Sequence, residues 1–325
     1  MPEAKHTPRV SIGLPVFNGE KYIKDTLDSI LTQTYTDFEL IIVDNASTDQ
    51  TPRICHEYAA KDKRIRYYRN KINLGASKNH NRAFKLSSGE YFKWAAHDDV
   101  LAPEFLSRCI NILDRDPSIV LCHSKTGCID EHGKLVGVYK YKVRSDSLKP
   151  HERFGDLVVE RWQPSWVLIL GVIRADVLRM TPLMGNYIGA DFNLLAEISF
   201  IGRIYEIPEV LFFRRSHPES YGHRAERLWI NGFKHQEKMA WWTQNYVFSF
   251  ERWRICLEYF KSVRRSPLKW PERLLCYTQI LKWIVKRGWF LMGKDLGIYF
   301  FTRSRLGIKL APFIKRMLDA FGRGI

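Results

Sequence analysis

Between residues 9 and 124, runs of β-branched and aliphatic residues alternate with segments of helical period, and this alternation restricts the fold more than any other feature. Residues 10–17 and 38–43 (Phe-Glu-Leu-Ile-Ile-Val) read as strands buried within a sheet. Between them, Ile23, Leu27, Ile30 and Leu31 line one helical face. Residues 49–61 form a second helix opened by the capping types Ser47, Thr48 and Asp49, and residues 64–69 alternate as a strand nearer an edge. Residues 77–86 read as helix and 91–96 as strand. In the helix over 104–113, Phe105, Leu106, Cys109, Ile110 and Leu113 align, and residues 119–123 close the series as a strand. The pattern predicts an α/β fold with a mostly parallel sheet covered by helices on both faces. Such sheets bind ligands at the carboxyl ends of their strands, near a topological switch point. The loops after Val16, Val43 and Ala96 are therefore the places to search.

From 125 to about 221 the pattern is mixed: a turn at Asp130-Glu131-His132-Gly133, a strand over 167–173, a helix over 190–201 and an apolar run over 210–213. We read residues 1–225 as one domain in two halves, 9–124 and 125–225. Residues 226–325 differ in character. They hold 20 Lys and Arg against 7 Asp and Glu, which places +13 of the formal charge of +16 in this segment, with seven of the ten tryptophans. No C-x-x-C pair occurs among the six scattered cysteines, so neither a zinc site nor a disulfide framework is indicated.

Several loops carry residues suited to chemistry. Pro15-Val16-Phe17-Asn18-Gly19-Glu20 follows the first strand, and its apolar members can stack on a base. Asp44, at the end of the second strand, either accepts from a base or ribose or, with Asn45, shapes the turn. Asn73-Leu74-Gly75, Asn79 and Asn81 gather amides near a strand-to-helix loop, where they either meet a ligand or cap a helix. His97-Asp98-Asp99 sets two adjacent carboxylates at the end of a buried strand. They repel each other unless a cation intervenes, and oxygen ligation suits Mg²⁺ or Mn²⁺ bridging a diphosphate. The alternative is that Asp99 caps the helix that follows.

Taken in order, 10–18, Ile42-Val43-Asp44-Asn45-Ala46-Ser47-Thr48-Asp49, Asn73-Leu74-Gly75, Gly89-Glu90-Tyr91 and His97-Asp98-Asp99 with Pro103 resemble the family-2 glycosyltransferases of GT-A fold, over about residues 9–221. The resemblance implies an inverting, metal-dependent transferase that uses a nucleotide sugar, a UDP-sugar by default. It makes Pro15, Phe17, Asn18, Asp44, Asn73, Asn79, Asn81, His97, Asp98 and Arg215 donor contacts, and Asp98, Asp99 and His217 metal ligands. Asp191, in Gly189-Ala190-Asp191, resembles the family's catalytic base, and Arg215-x-His217 its Arg-x-His element. The chain departs from the family's Asp-x-Asp-Asp metal motif at Ala96, leaving His97 or Asp99 to compensate, and an arginine often found after Asn-Leu-Gly is replaced by His80.

The basic, aromatic segment after 225 carries no zinc-finger, RRM or helix-turn-helix signature, so nucleic acid is not the expected partner. Tryptophan interleaved with Lys and Arg, such as Trp283, Trp289 and Phe290 beside Lys282, Lys286 and Arg287, suits a helix lying on an anionic membrane surface. Charged residues interrupt every apolar stretch, so no spanning helix is expected. The expectation is a cytoplasmic enzyme held peripherally on a membrane, with a glycan or lipid-linked acceptor. The competing classes are an inactive family member acting as a membrane scaffold and a basic nucleic-acid-binding protein.

Overall fold

The computed structural model of the chain describes residues 7–140, 145–159, 165–218, 220 and 250–303. Among them nine strands form one sheet: β1 (Val10–Val16), β2 (Phe38–Asp44), β3 (Ile65–Arg69), β4 (Tyr91–Trp94), β5 (Val100–Leu101), β6 (Ile119–Ile129), β7 (Leu135–Val138), β8 (Val172–Arg174) and β9 (Arg203–Arg215). Their order is β3-β2-β1-β4-β8-β6-β9-β5, with β7 paired to β6. The strands β1 to β4 are mutually parallel, β6 and β9 are parallel, and β8 runs antiparallel between β4 and β6. Every residue of β1 and β2 is buried, which is why both read as uninterrupted apolar runs. The chain leaves β1 toward β2 and β3, then crosses back to β4. The switch point therefore lies between β1 and β4, and the loops after Val16 and Trp94 flank it.

The helices are α1 (Ile23–Leu31), α2 (Thr51–Lys61), α3 (Ala76–Lys85), α4 (Phe105–Arg115), α5 (Pro150–Val158), α6 (Ala175–Arg179), α7 (Ala190–Ile201), α8 (Glu251–Arg265), α9 (Trp270–Trp283) and α10 (Trp289–Arg303). The five aligned residues of α4 are all buried, as their spacing predicts. Some expectations are corrected. Residues 167–173 are not one strand: Ser165–Leu170 is a 3-10 helix, and only Val172–Arg174 joins the sheet. Gly171 marks the break, because a Cβ there would stand 2.6 Å from the Cys122 carbonyl oxygen. A short, wholly apolar run carries no periodicity that separates strand from buried helix. The strand expected over 119–123 continues to Ile129 and turns at Gly133 (φ 83°) into β7.

The region after 225 is no loose appendage where it is described. Phe154 and Val158 of α5, Ala196 and Phe200 of α7, Ile255, Tyr259 and Val263 of α8 and Ile280 and Trp283 of α9 share one buried cluster. Each large side chain so buried contributes about 1.5–3 kcal/mol, which outweighs any single surface contact. Ser262 and Arg265 of α8 both donate to the Glu197 carboxylate of α7, at 2.6 and 2.5 Å. The expected ring set is corrected too: Trp283 points into this core, 3% exposed, while Trp289 faces outward. Trp229, Trp241 and Trp242 lie outside the described residues.

Lys93 is fully buried on β4. Its ammonium donates to the carbonyls of Trp94 and Leu170, with the Phe105 and Phe212 rings 4.9 and 5.5 Å away. Burial disfavours the charged form and lowers its pKa from 10.5 to about 8. Below the folded value the lysine is charged in both states and its cost is complete. Between about 8 and 10.5 the unfolded chain binds more protons, so stability rises with pH. We therefore expect the melting temperature of Lys93→Met, relative to wild type, to fall steadily across that window. A difference that stays flat in a pH series of thermal melts would mean that Lys93 titrates like an exposed lysine.

Candidate active site

The loops after β1 and β2 are laced together. Asn18, which takes the left-handed conformation (φ 51°), receives the Thr48 N–H on its side-chain oxygen and donates its own N–H to Ser47 Oγ. Gly19 N–H donates to Thr51 Oγ1, Glu20 N–H to Asp49, and Gln50 N–H back to Glu20. Gly19 is needed less for its turn than for a neighbour: a Cβ would stand 2.7 Å from the His97 ring. Pro15 is buried within β1 opposite Val43, so its ring meets the sheet interior, whereas Phe17 is 39% exposed.

Asp44 is not a surface contact. Its carboxylate is completely buried and accepts from Ser47 N–H (2.8 Å), Tyr67 OH (2.7 Å) and Arg69 Nε (3.2 Å). With three donors already satisfying it, Asp44 holds the loop from beneath. The amides behave alike. Asn45 donates to Asn73, and Asn70 donates to both Asn45 and Asn79. Asn79 donates in turn to the Val43 carbonyl, and Arg82 donates to Asn70. Asn81 exchanges both its bonds with the backbone of Met184. Asn79, buried, and Asn81, half-buried, are thus engaged within the protein, and Asn73 gives its oxygen to Asn45 and to Gly75 N–H.

The second cluster is made of charge. Antiparallel pairing sets Val100 opposite Phe213 and Leu101 opposite Phe212. Asp98 and Asp99, just before β5, thereby lie beside Arg215 and His217 at the end of β9. His217 Nε2 stands 3.0 Å from Asp98 Oδ2. Asp99 Oδ1 accepts from Arg215 N–H at 2.9 Å. The Arg215 guanidinium, 3% exposed, donates to the carbonyls of Asp98 and Glu131 and to Asp25 Oδ2 at 2.8 Å. Tyr22 packs against both, its ring centroid 4.6 Å from that of His217 at a tilt of 48° and 4.8 Å from the guanidinium. Arg215 is therefore a brace with its donors engaged, not an open phosphate contact.

Burial works against a charged Asp98, but His97 and His217 outweigh it and hold the carboxyl below its ordinary range. Asp99 goes the other way: burial, then the neighbouring Asp98, raises it to about 8. Asp98 carries the charge of the pair. Asp99 serves as a backbone anchor: its Oδ1 faces Arg215 N–H, and without a cation its site disfavours ionisation. Ala96 offers no carboxylate, and His97 lies close enough to Asp98 to help hold its charge. The group set against Asp98 is His217.

A divalent cation fits Asp98 and His217. One offers a carboxylate oxygen and the other an imidazole nitrogen, a combination that suits Mn²⁺ better than Mg²⁺. Among the described residues His217 Nδ1, Tyr22 OH and Ser220 Oγ are buried without a hydrogen-bond partner, as are both polar atoms of the Asn193 side chain on α7 and Arg273 Nε on α9. Unpaired buried polar atoms are costly, and the first three lie together around His217. Among the described residues no group of three or more His, Cys, Asp and Glu is arranged to hold a metal ion.

Asp191 lies in the first turn of α7, partly exposed, after Gly189 in the left-handed conformation (φ 84°). Gly189 is the N-cap. Sequence reasoning missed Tyr22 and Asp25. A buried Arg-x-His element demands an acidic partner, and that demand was the only signal for Asp25.

Comparison with known proteins follows from this geometry. A family profile described as Glycosyl transferase family 2 matches residues 11–160. An uncharacterized glycosyltransferase of Rickettsia typhi is 38% identical over 227 residues, covering 67% of each chain. Against a longer relative from Rickettsia felis the chain spans only 23% of the length. A solved structure of Staphylococcus aureus TarS residues 1–349 with UDP-GlcNAc superposes with a TM-score of 0.60 at 16% identity, covering 85% of this chain and 73% of that one. The mannosyltransferase PcManGT of Pyrobaculum calidifontis, in complex with GDP-Man and Mn²⁺, superposes at 0.54 and 17% identity, over 96% and 81%. The fold is the GT-A fold of these enzymes.

The Arg215–Asp25 pair provides a test of the brace. Asp25 is 58% exposed, so solvent weakens the pair, and Asp25→Ala should cost roughly 1 kcal/mol. Urea denaturation reads this directly, and an unmoved midpoint would show that water replaces the carboxylate fully.

Proposed function

The chain belongs to glycosyl transferase family 2, and we propose that it moves a sugar from a UDP-sugar to a hydroxyl of a glycan or lipid-linked acceptor, with a divalent metal and with inversion. The observation that carries this reading is the Asp98–His217 pair, set by β5 and β9 beside the loops of the β1/β4 switch point.

Asp98 and His217 would hold a Mn²⁺ or Mg²⁺ ion, whose positive charge stabilises the departing nucleoside diphosphate. Arg215 keeps the two ligands in place through the Asp98 carbonyl and fixes the adjoining turn by its bonds to Asp25 and Glu131. The exposed ring of Phe17 is the base-stacking surface, and Asn18, held by Thr48 and Ser47, orients it. Asp191 accepts the proton of the acceptor hydroxyl as that oxygen attacks the face of the anomeric carbon opposite the diphosphate. A carboxylate is a far weaker base than an alkoxide, so proton transfer accompanies attack. The attack inverts the centre without a covalent sugar–enzyme intermediate.

TarS is solved with UDP-GlcNAc and PcManGT with GDP-Man and Mn²⁺, so both nucleotides belong in the first experiment. Calorimetric titration of UDP and GDP with and without Mn²⁺ should show metal-dependent binding of one. Asp98→Asn should abolish it while leaving the nucleotide-free melting curve near wild type. Unchanged Mn²⁺-dependent affinity in that variant would falsify the assignment.

For Asp191→Asn we expect near-normal donor affinity and turnover reduced by roughly 10²-fold or more, the scale of general base catalysis. Steady-state rates of donor consumption test this. Wild-type turnover would remove Asp191 from the chemistry.

A further inference from the structure

The helices α9 and α10 continue one into the other through a π-helical turn, Ile284–Gly288, and present two unlike faces. The inner face buries Cys276, Ile280, Trp283 and Met292. Gly288 assists, because a Cβ there would press within 3.0 Å of the Trp283 ring. The outer face carries Trp270, Leu274, Leu281, Val285, Trp289 and Leu296, which are 64, 46, 55, 74, 65 and 38% exposed. Their steps of four and seven residues keep them on one side of a helix. The wider π turn absorbs the residue by which an unbroken α-helix would carry Leu296 off the stripe. Trp270 and Trp289 stand 19 residues apart, roughly 30 Å along the axis at 1.5 Å per residue.

Charge identifies the occupant. Residues 264–296 hold eight Lys and Arg against two acids, Glu272 and Asp295. Both acids turn toward the protein: Asp295 is fully buried on Arg252, and Glu272 meets His151. Lys282 and Lys286 are exposed directly beside Leu281 and Val285. A second copy of this chain packed stripe to stripe would bring two basic faces together, a repulsive arrangement. An anionic bilayer answers both features. Its phosphates take the lysines, its acyl boundary takes the aliphatic side chains, and indoles favour the headgroup layer. No helix among the described residues is long and apolar enough to cross a membrane.

We propose that the outer face of α9 and α10, from Trp270 to Leu296, is a lipid-docking surface that seats the protein on an anionic bilayer with these helices parallel to its plane. The proposal does not rest on the transferase reading, since it is tested without donor, metal or acceptor. The full chain is used, because removing residues after 225 would strip α5 and α7 of the core they share with α8 and α9.

The test is flotation with vesicles of phosphatidylcholine alone and with phosphatidylglycerol added. Binding should require the anionic lipid and weaken in high salt. Lys282→Glu with Lys286→Glu should reduce it roughly tenfold or more, at about 1 kcal/mol for each basic residue near the surface. Separately, Trp270→Ser with Trp289→Ser should abolish quenching of tryptophan fluorescence by vesicles with brominated acyl chains, at an unchanged melting temperature. Equal binding to neutral vesicles, wild-type binding by the charge-reversed variant, undiminished quenching in the serine variant, or a dimer that these substitutions convert to monomer would each overturn the proposal.

Discussion

Two residue pairs in the sheet, Val100 opposite Phe213 and Leu101 opposite Phe212, determine where charge can gather in this protein. The strand β5 has only two residues, yet its antiparallel seat on β9 aligns the chain just before it with the chain just after β9. Asp98 and Asp99 would otherwise be two carboxylates repelling each other at a buried strand end. The pairing gives Asp99 a backbone N–H, gives the Asp98 carboxylate an imidazole, and sets a guanidinium on the Asp98 carbonyl. Tyr22 and Asp25, from the start of α1, complete the packing from the opposite side of the switch point. The arrangement is sheet register converted into electrostatics.

The polar interior divides into two kinds of cluster, separated by whether hydrogen bonds close. Around Asn45, Asn70 and Asn79 the bonds close internally, and the three loops at the carboxyl ends of β1, β2 and β3 become one rigid rim. Around His217 they do not: an imidazole nitrogen, a phenol and a serine hydroxyl are buried and unpaired. A closed network lowers the energy of the protein alone. An open one leaves a cost that water, an ion or a ligand can recover. Asp44 and Asp98, of similar sequence character, differ in this respect: the carboxylate of Asp44 is satisfied by three donors, while Asp98 lies beside the open cluster.

Most of the α/β half was legible because its elements are buried in ways that leave a mark on sequence. The strands β1 and β2 are hidden on both faces and read as unbroken apolar runs, and α4 is half-hidden and reads at helical period. The polar assignments were less secure for a physical reason. An aspartate closing a strand looks the same in sequence whether it turns into the protein, as Asp44 does, or toward the site. Tyr22 and Asp25 were invisible because their partners lie 190 or more positions away, and no local pattern encodes that distance. Trp283 and Trp289 were grouped by composition, yet six residues of helix separate an inward ring from an outward one.

The burial of α7 bears on how Asp191 can act. From Asn193 to Phe200 every residue of this helix is buried, between the sheet and the α5–α8 layer, so it has no solvated side and no amphipathic signature. Such a helix is a shaft gripped along its length, with only its first turn reaching the surface. A side chain mounted there has the freedom of its own rotamers and almost none from its backbone. With Asp191 as the proposed base, the reacting hydroxyl would be carried to a stationary carboxylate, and acceptor selectivity would belong to the surfaces that deliver it rather than to any swing of α7.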